Sequence, residues 1–133
     1  MKKNKIVSVQ VSKVPNACKL FEEYYGVKRY QINSVHEENR YYFFMTKRSL
    51  YRRLMGSTPV IAVEWELLED AVNITVCAYM DHQGDVAKVI GRILSAPEIG
   101  FAKMVTNALT DPLFGKAFCD EALVMSEGLL TIK

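Results

Sequence analysis

The residues best equipped for chemistry lie between Arg40 and Arg53, where the chain reads RYYFFMTKRSLYRR. Arg40, Lys47, Arg48, Arg52 and Arg53 follow one another with no acidic residue before Glu64. Between them stand Tyr41, Tyr42, Phe43, Phe44 and Tyr51. Arginine's planar fork pairs with carboxylate and phosphate through parallel hydrogen bonds. Flat rings stack on bases or line apolar pockets, so the stretch suits a nucleic-acid-binding sheet face or the mouth of a ligand pocket. It lacks the glycines of sheet-face RNA binders, and the chain carries only +2, far from the strongly basic balance of nucleic-acid-binding domains. Aromatic residues in strands usually build core, and the charges then solvate a strand end. Nucleic acid is therefore the less favoured partner. A small apolar or anionic molecule is the expected one, with Arg40, Tyr42, Phe44, Arg48, Tyr51, Arg52 and Arg53 as binding residues.

A second constellation is Asp81-His82-Gln83-Gly84-Asp85. His82 beside an aspartate can act as a base and its orienter or as a metal ligand, and Gly84 opens backbone amides to an anion at a helix start. A polar turn with a capping aspartate has the same composition. The other histidine, His36, falls in a different turn, so no metal site is expected and His82 joins the binding residues. Glu64 and Glu66 form a third group, about 7 Å apart along one strand face. Two close carboxylates can divide acid and base roles, but the solvated face of a one-sided sheet looks identical. Cys77 and Cys119 fall mid-strand and mid-helix, where a thiol is a small packing residue. No catalytic residue, reaction or cofactor emerges from these groups, so the chain is expected to bind rather than to catalyse.

A chain of 133 residues, half hydrophobic and about a quarter charged, suits one folded domain, 1–133, rather than a disordered segment. No apolar run approaches the roughly 20 residues of a membrane helix. Met1 to Lys5 is basic, but Ile6 to Val11 is interrupted by Ser8 and Gln10 and cannot serve as a signal-peptide core. Cys18, Cys77 and Cys119 are odd in number and lack a CxxC pair, which points to free thiols in a reducing cytoplasm. The charge is uneven. Met1 to Met55 holds 12 basic and 4 acidic residues, net +8, whereas Gly56 to Lys133 holds 5 and 11, net −6. Such a split means either a basic surface for an anionic partner or, more commonly, two faces of one domain that match each other.

The elements that must hold these groups follow from periodicity. Ile61, Val63, Trp65 and Leu67 alternate with more polar neighbours, as do Val72, Ile74, Val76, Ala78 and Met80, so Pro59 to Met80 reads as an antiparallel hairpin anchored by Trp65. Before it come a strand from Ile6 to Ser12 and a helix from Pro15 to Tyr25 stopped by Gly26. A strand over Val27 to Val35, a turn over His36 to Asn39 and a strand over Arg40 to Thr46 follow. Ser49 to Met55 reads as a short helix. After the hairpin, helical spacing starts at Asp85, again at the Ser95-Ala96-Pro97-Glu98 capping box, and again at Asp111-Pro112, with Gly128 as the last stop.

Strands and helices in blocks predict an α+β domain. Its antiparallel sheet has about five strands, in the order strand-helix-four strands, and two or three C-terminal helices pack on one face. In shape this order is similar to a helix-grip layout, except that Pro97 and Pro112 interrupt the C-terminal helical block. The leading expectation is a non-enzymatic binding module, its apolar pocket between the sheet and the C-terminal helices and its arginines at the mouth for an acidic head group. A homodimer that covers the aromatic strand and a nucleic-acid binder using residues 40–53 are the alternatives.

Overall fold

The computed structural model describes residues 2–46, 58–81, 95–96 and 116–131. Five strands form one sheet: β1 (Lys2–Ser8), β2 (Gln31–Glu37), β3 (Arg40–Thr46), β4 (Thr58–Leu67) and β5 (Ala71–Asp81). Helix α1 (Val14–Val27) lies between β1 and β2 in the chain, and α2 (Lys116–Leu130) follows the sheet. The sheet runs β1-β5-β4-β3-β2 with every neighbouring pair antiparallel. Thus β2 to β5 form a meander, and β1 closes its far side. This is the expected α+β order. Neither described helix is long and apolar enough to cross a membrane.

Side chains on alternate residues divide the sheet into two faces. The first carries Tyr41, Phe43 and Met45 of β3, Ile61, Val63 and Trp65 of β4, and Val72, Ile74, Val76 and Ala78 of β5. Val14, Ala17, Phe21 and Tyr25 of α1 and Cys119, Ala122 and Leu130 of α2 complete that core. Phe21 stands 4.5 Å from Phe43 and edge-on to Trp65 at 5.3 Å between ring centres. Each such ring removes on the order of 150–250 Å² from water, so this trio is a large source of packing energy. Trp65 anchors the sheet as its spacing implies.

Several boundaries move, each for a physical reason. β1 begins at Lys2 and ends at Ser8, rather than running from Ile6 to Ser12. Lys3 and Lys5 look solvent-bound in sequence, but they face α2 and pair with Asp120 and Glu127. Val11–Lys13 is a short 3-10 turn that leads into α1, and Val11 is exposed. Helix α1 runs through Gly26 to Val27, and Arg29 stops it with a left-handed φ of 65°. The amide of Tyr30 donates to the carbonyl of Tyr25, and that of Arg29 to Gly26, the paired bonds of a Schellman C-cap. The second strand therefore starts at Gln31 instead of Val27, which is left exposed. Gly128 likewise lies inside α2 rather than ending it. The helices expected from Ser49, Asp85 and Ser95 lie outside the described residues, Ser95 and Ala96 apart.

The charge asymmetry becomes an internal match. All ion pairs among the described residues join a cation from the first 55 positions to a carboxylate from the rest. Lys3 pairs with Asp120, Lys5 with Glu127 at 2.7 Å, Lys28 with Glu121 at 2.6 Å, and Arg40 with Glu64 and Glu66. Three of these pairs fasten α2 across β1 and α1.

Candidate functional site

The second face of the sheet carries the expected binding residues that the structure describes. Arg40, Tyr42 and Phe44 occupy alternate positions of β3, so all three project to this side. Tyr42 and Phe44 are stacked, their ring centres 6.1 Å apart and their planes within 7°. Both are buried, and with Val60, Ala62 and Cys77 they give this face an apolar, enclosed interior. Arg48, Tyr51, Arg52, Arg53 and His82 lie outside the described residues.

Towards the β2–β3 turn the same face becomes polar. Register places Arg40 opposite Glu66 and Tyr42 opposite Glu64. One guanidinium nitrogen of Arg40 donates to Glu66 Oε2 at 3.0 Å, and another lies 3.7 Å from Glu64 Oε2. A hydrogen bond to Tyr42 raises the arginine's proton affinity first, and the two glutamates raise it further against the effect of burial. The guanidinium is thereby fixed between a phenol and two carboxylates. Glu64 and Glu66 are not a solvated face, since their side chains are only 12% and 24% exposed. Beyond them, Asn4 of β1 donates to Asn73 Oδ1 at 2.7 Å and Thr75 Oγ1 at 2.9 Å, extending the polar strip across β5.

The turn itself is tight. Glu37 and Arg40 pair across β2 and β3, leaving Glu38 and Asn39 as the loop. Only Glu38 among them has a positive φ, 50°, as the first loop residue of a type II′ hairpin does. Leu67 donates its amide to the Asn39 carbonyl at 2.7 Å, and Asn39 Nδ2 donates to the Leu67 carbonyl at 3.2 Å. These bonds tie the turn to the end of β4. Here an open cavity of about 470 Å³ is lined by Glu37, Glu38, Asn39, Arg40 and Tyr42. Its size falls in the usual range for small-molecule sites, though its walls are more polar than most.

The cavity therefore joins two of the expected binding residues, Arg40 and Tyr42, to three turn residues that composition alone marked only as a connection. Glu64 and Glu66 stand against Arg40 as its partners. The antiparallel register is the signal that links residues 40 and 66. His36 belongs to the opposite face, stacked on Tyr41 with ring centres 4.0 Å apart, and its Nε2 lies 3.1 Å from the Glu38 carbonyl. Among the described residues, no three His, Cys, Asp or Glu side chains are grouped to hold a metal. The site sets a guanidinium, a phenol, an amide and carboxylates around a water-accessible space. Comparison with protein-family models and with curated proteins gives no match for this chain.

Proposed function

We propose that this protein is a non-enzymatic binding module, and that a small polar ligand enters the cavity at the β2–β3 turn with Arg40 and Tyr42 as its anchors. The observation that carries this reading is the cavity itself, sized for a small molecule and walled by a guanidinium that Glu64 and Glu66 hold rigid. A pre-positioned polar group loses little freedom when a ligand arrives, which favours binding. The sign of the site selects the ligand. Arg40 already faces two carboxylates, and Glu37 and Glu38 add two more at the mouth. A molecule with an amine or amide group suits this field better than a carboxylate or phosphate. An acidic head group would instead call on Arg48, Arg52 and Arg53.

Assembly through the aromatic strand and stacking on bases draw less support. Tyr41, Tyr42, Phe43 and Phe44 are buried within the single chain and offer no exposed ring. Cys18, Cys77 and Cys119 are not joined in disulfides, which fits a reducing compartment, and a cytoplasmic location is proposed on that ground.

The test pairs native mass spectrometry of the protein purified from cells with an NMR screen of small amines, amides and carboxylates. The expected result is an adduct removed by denaturation, with amine or amide probes shifting the amides of Glu37 to Tyr42. Tyr42→Phe, which preserves the buried ring, should weaken that response. Carboxylates alone shifting these amides would overturn the assigned ligand class. No shift there from any probe would overturn the site.

A further inference from the structure

The two edges of the sheet are unlike. β1, at one end, is rich in lysine, with Lys2, Lys3 and Lys5 in seven residues. Edge lysines are a common device against unwanted strand pairing. β2, at the other end, reads Gln-Ile-Asn-Ser-Val-His-Glu, with no lysine, arginine, proline or glycine. Among the described residues it pairs with β3 alone.

The hydrogen-bond phase shows which of its backbone groups point outward. Leu67 donates to the Asn39 carbonyl, so residues 39, 41, 43 and 45 turn their backbone groups towards β4. Residues 40, 42, 44 and 46 then turn theirs towards β2 and meet Glu37, Val35, Asn33 and Gln31. The remaining β2 residues, Ile32, Ser34 and His36, direct their amides and carbonyls away from the sheet. Gln31, Ser34, His36 and Glu37 are exposed and the residues between them half-buried, so Ser34 and His36, two of the three outward residues, are open to solvent.

We infer that this edge pairs with a second copy of the chain, β2 against β2 in antiparallel register about a two-fold axis at Ser34. This interface is separate from the ligand cavity and does not depend on it. The strand is self-complementary in this register. Ser34 meets its own copy and Ile32 meets His36, so the outward groups form roughly six backbone hydrogen bonds across the axis. On the other side of the strand, Gln31 meets Glu37 and Asn33 meets Val35. The single formal charge of β2, Glu37, therefore faces a neutral amide that can donate to it. No like charges are opposed, which is the usual obstacle to strand pairing. Asn33 adds a separate argument: its Nδ2 is shielded from solvent and has no acceptor among the described residues. In the two-fold register Asn33 lies diagonal to its own copy, where rotation of its side chain towards the axis would let the two amides pair. The same operation applied to β1 would bring lysines together. The two sheets would join into one of ten strands.

The experiment is sedimentation velocity over a concentration series, combined with amide exchange. One strand pair is a small interface, so association is expected in the micromolar range or weaker. The expected result is a dimer that grows with concentration, and slowed exchange at Ile32, Ser34 and His36 as it forms. Ser34→Lys sets two cations on the axis and should weaken association about tenfold or more. Ser34→Pro removes an outward donor without breaking a bond to β3 and should act the same way. Circular dichroism melts of both variants should match the parent. A protein that stays monomeric overturns the inference, as does a dimer unaffected by both variants or an open-ended series of larger species. Protection confined to other strands would also overturn it.

Discussion

Arg40 is charged at every accessible pH, so its worth to a ligand depends on the field its neighbours leave over. With Glu64 and Glu66 against it, that remainder is small, and the residue acts as a rigid donor rather than as a bare cation. Cys18 shows the same dependence on surroundings. Its thiol donates to Glu22 Oε1 at 3.4 Å, and burial, then Glu22, pushes its pKa up to about 12. Cys119 is pushed up to about 11, chiefly by burial. Both thiols should stay protonated and alkylate far more slowly in the folded chain than in denaturant at mildly alkaline pH. The linkage has a definite sign. The unfolded chain loses the Cys18 proton near 9.0 and the folded chain near 12, so stability is undiminished below pH 9 and falls as pH rises between them. Replacing Cys18 with Ala should flatten that part of a melting-temperature profile. An unchanged slope would show that the thiol does not contribute to it.

At the scale of elements, the α1–β2 corner is the clearest case of a position at odds with its residue. Arg29 holds the left-handed conformation that a Schellman cap demands and glycine supplies most readily. The ring of Tyr30 meets that of Tyr25 edge-on at 5.2 Å, closing the motif with its usual apolar contact. Arg29→Gly should therefore raise stability by about 1 kcal/mol, the strain of a side chain at positive φ less the added freedom of the unfolded chain. A melt that falls instead would mean Arg29 makes a compensating contact. This corner also explains what could be read in advance. An aromatic run apolar on both faces located β3 to the residue, and period-two alternation located β4 and β5 nearly so, because each has a continuous apolar face on the core. The ends of α1 and β2 were harder to place: Gly26 and Gly128 look like stops, yet the chain stops elsewhere and both sit in helix. For the site, Arg40 and Tyr42 stood out by type. Glu64 and Glu66 stood out only as a pair of carboxylates: they meet Arg40 only through the β3–β4 register, and Glu37 to Asn39 become walls only once the hairpin is closed.

Across the whole molecule the charge distribution is a device for closure. The N-terminal half carries the surplus cations and α2 the carboxylates that meet them, so the last element of the chain is fastened to the first. Each pair is partly exposed and worth at most about 1 kcal/mol alone. They are not equivalent, however. Glu121 accepts from Lys28 Nζ at 2.6 Å and from Tyr24 Oη at 3.0 Å, and the Lys28 ammonium lies 4.6 Å from the centre of the Tyr24 ring. Glu127 serves Lys5 alone among the charged groups described. Removing Glu121 leaves two donors, one of them the cation over the ring, without their common acceptor, whereas removing Glu127 frees a lysine that water can solvate. Glu121→Gln should therefore destabilise more than Glu127→Gln, and a double-mutant cycle of Glu121 with Lys28 should give a coupling of roughly 0.5–1 kcal/mol that shrinks in high salt. The measurement is chemical denaturation of the single and double variants at low and high ionic strength. Equal losses from the two glutamates, with no salt-dependent coupling, would mean that α2 is held by its apolar face alone and that the opposed charges of the two halves only keep the surface soluble.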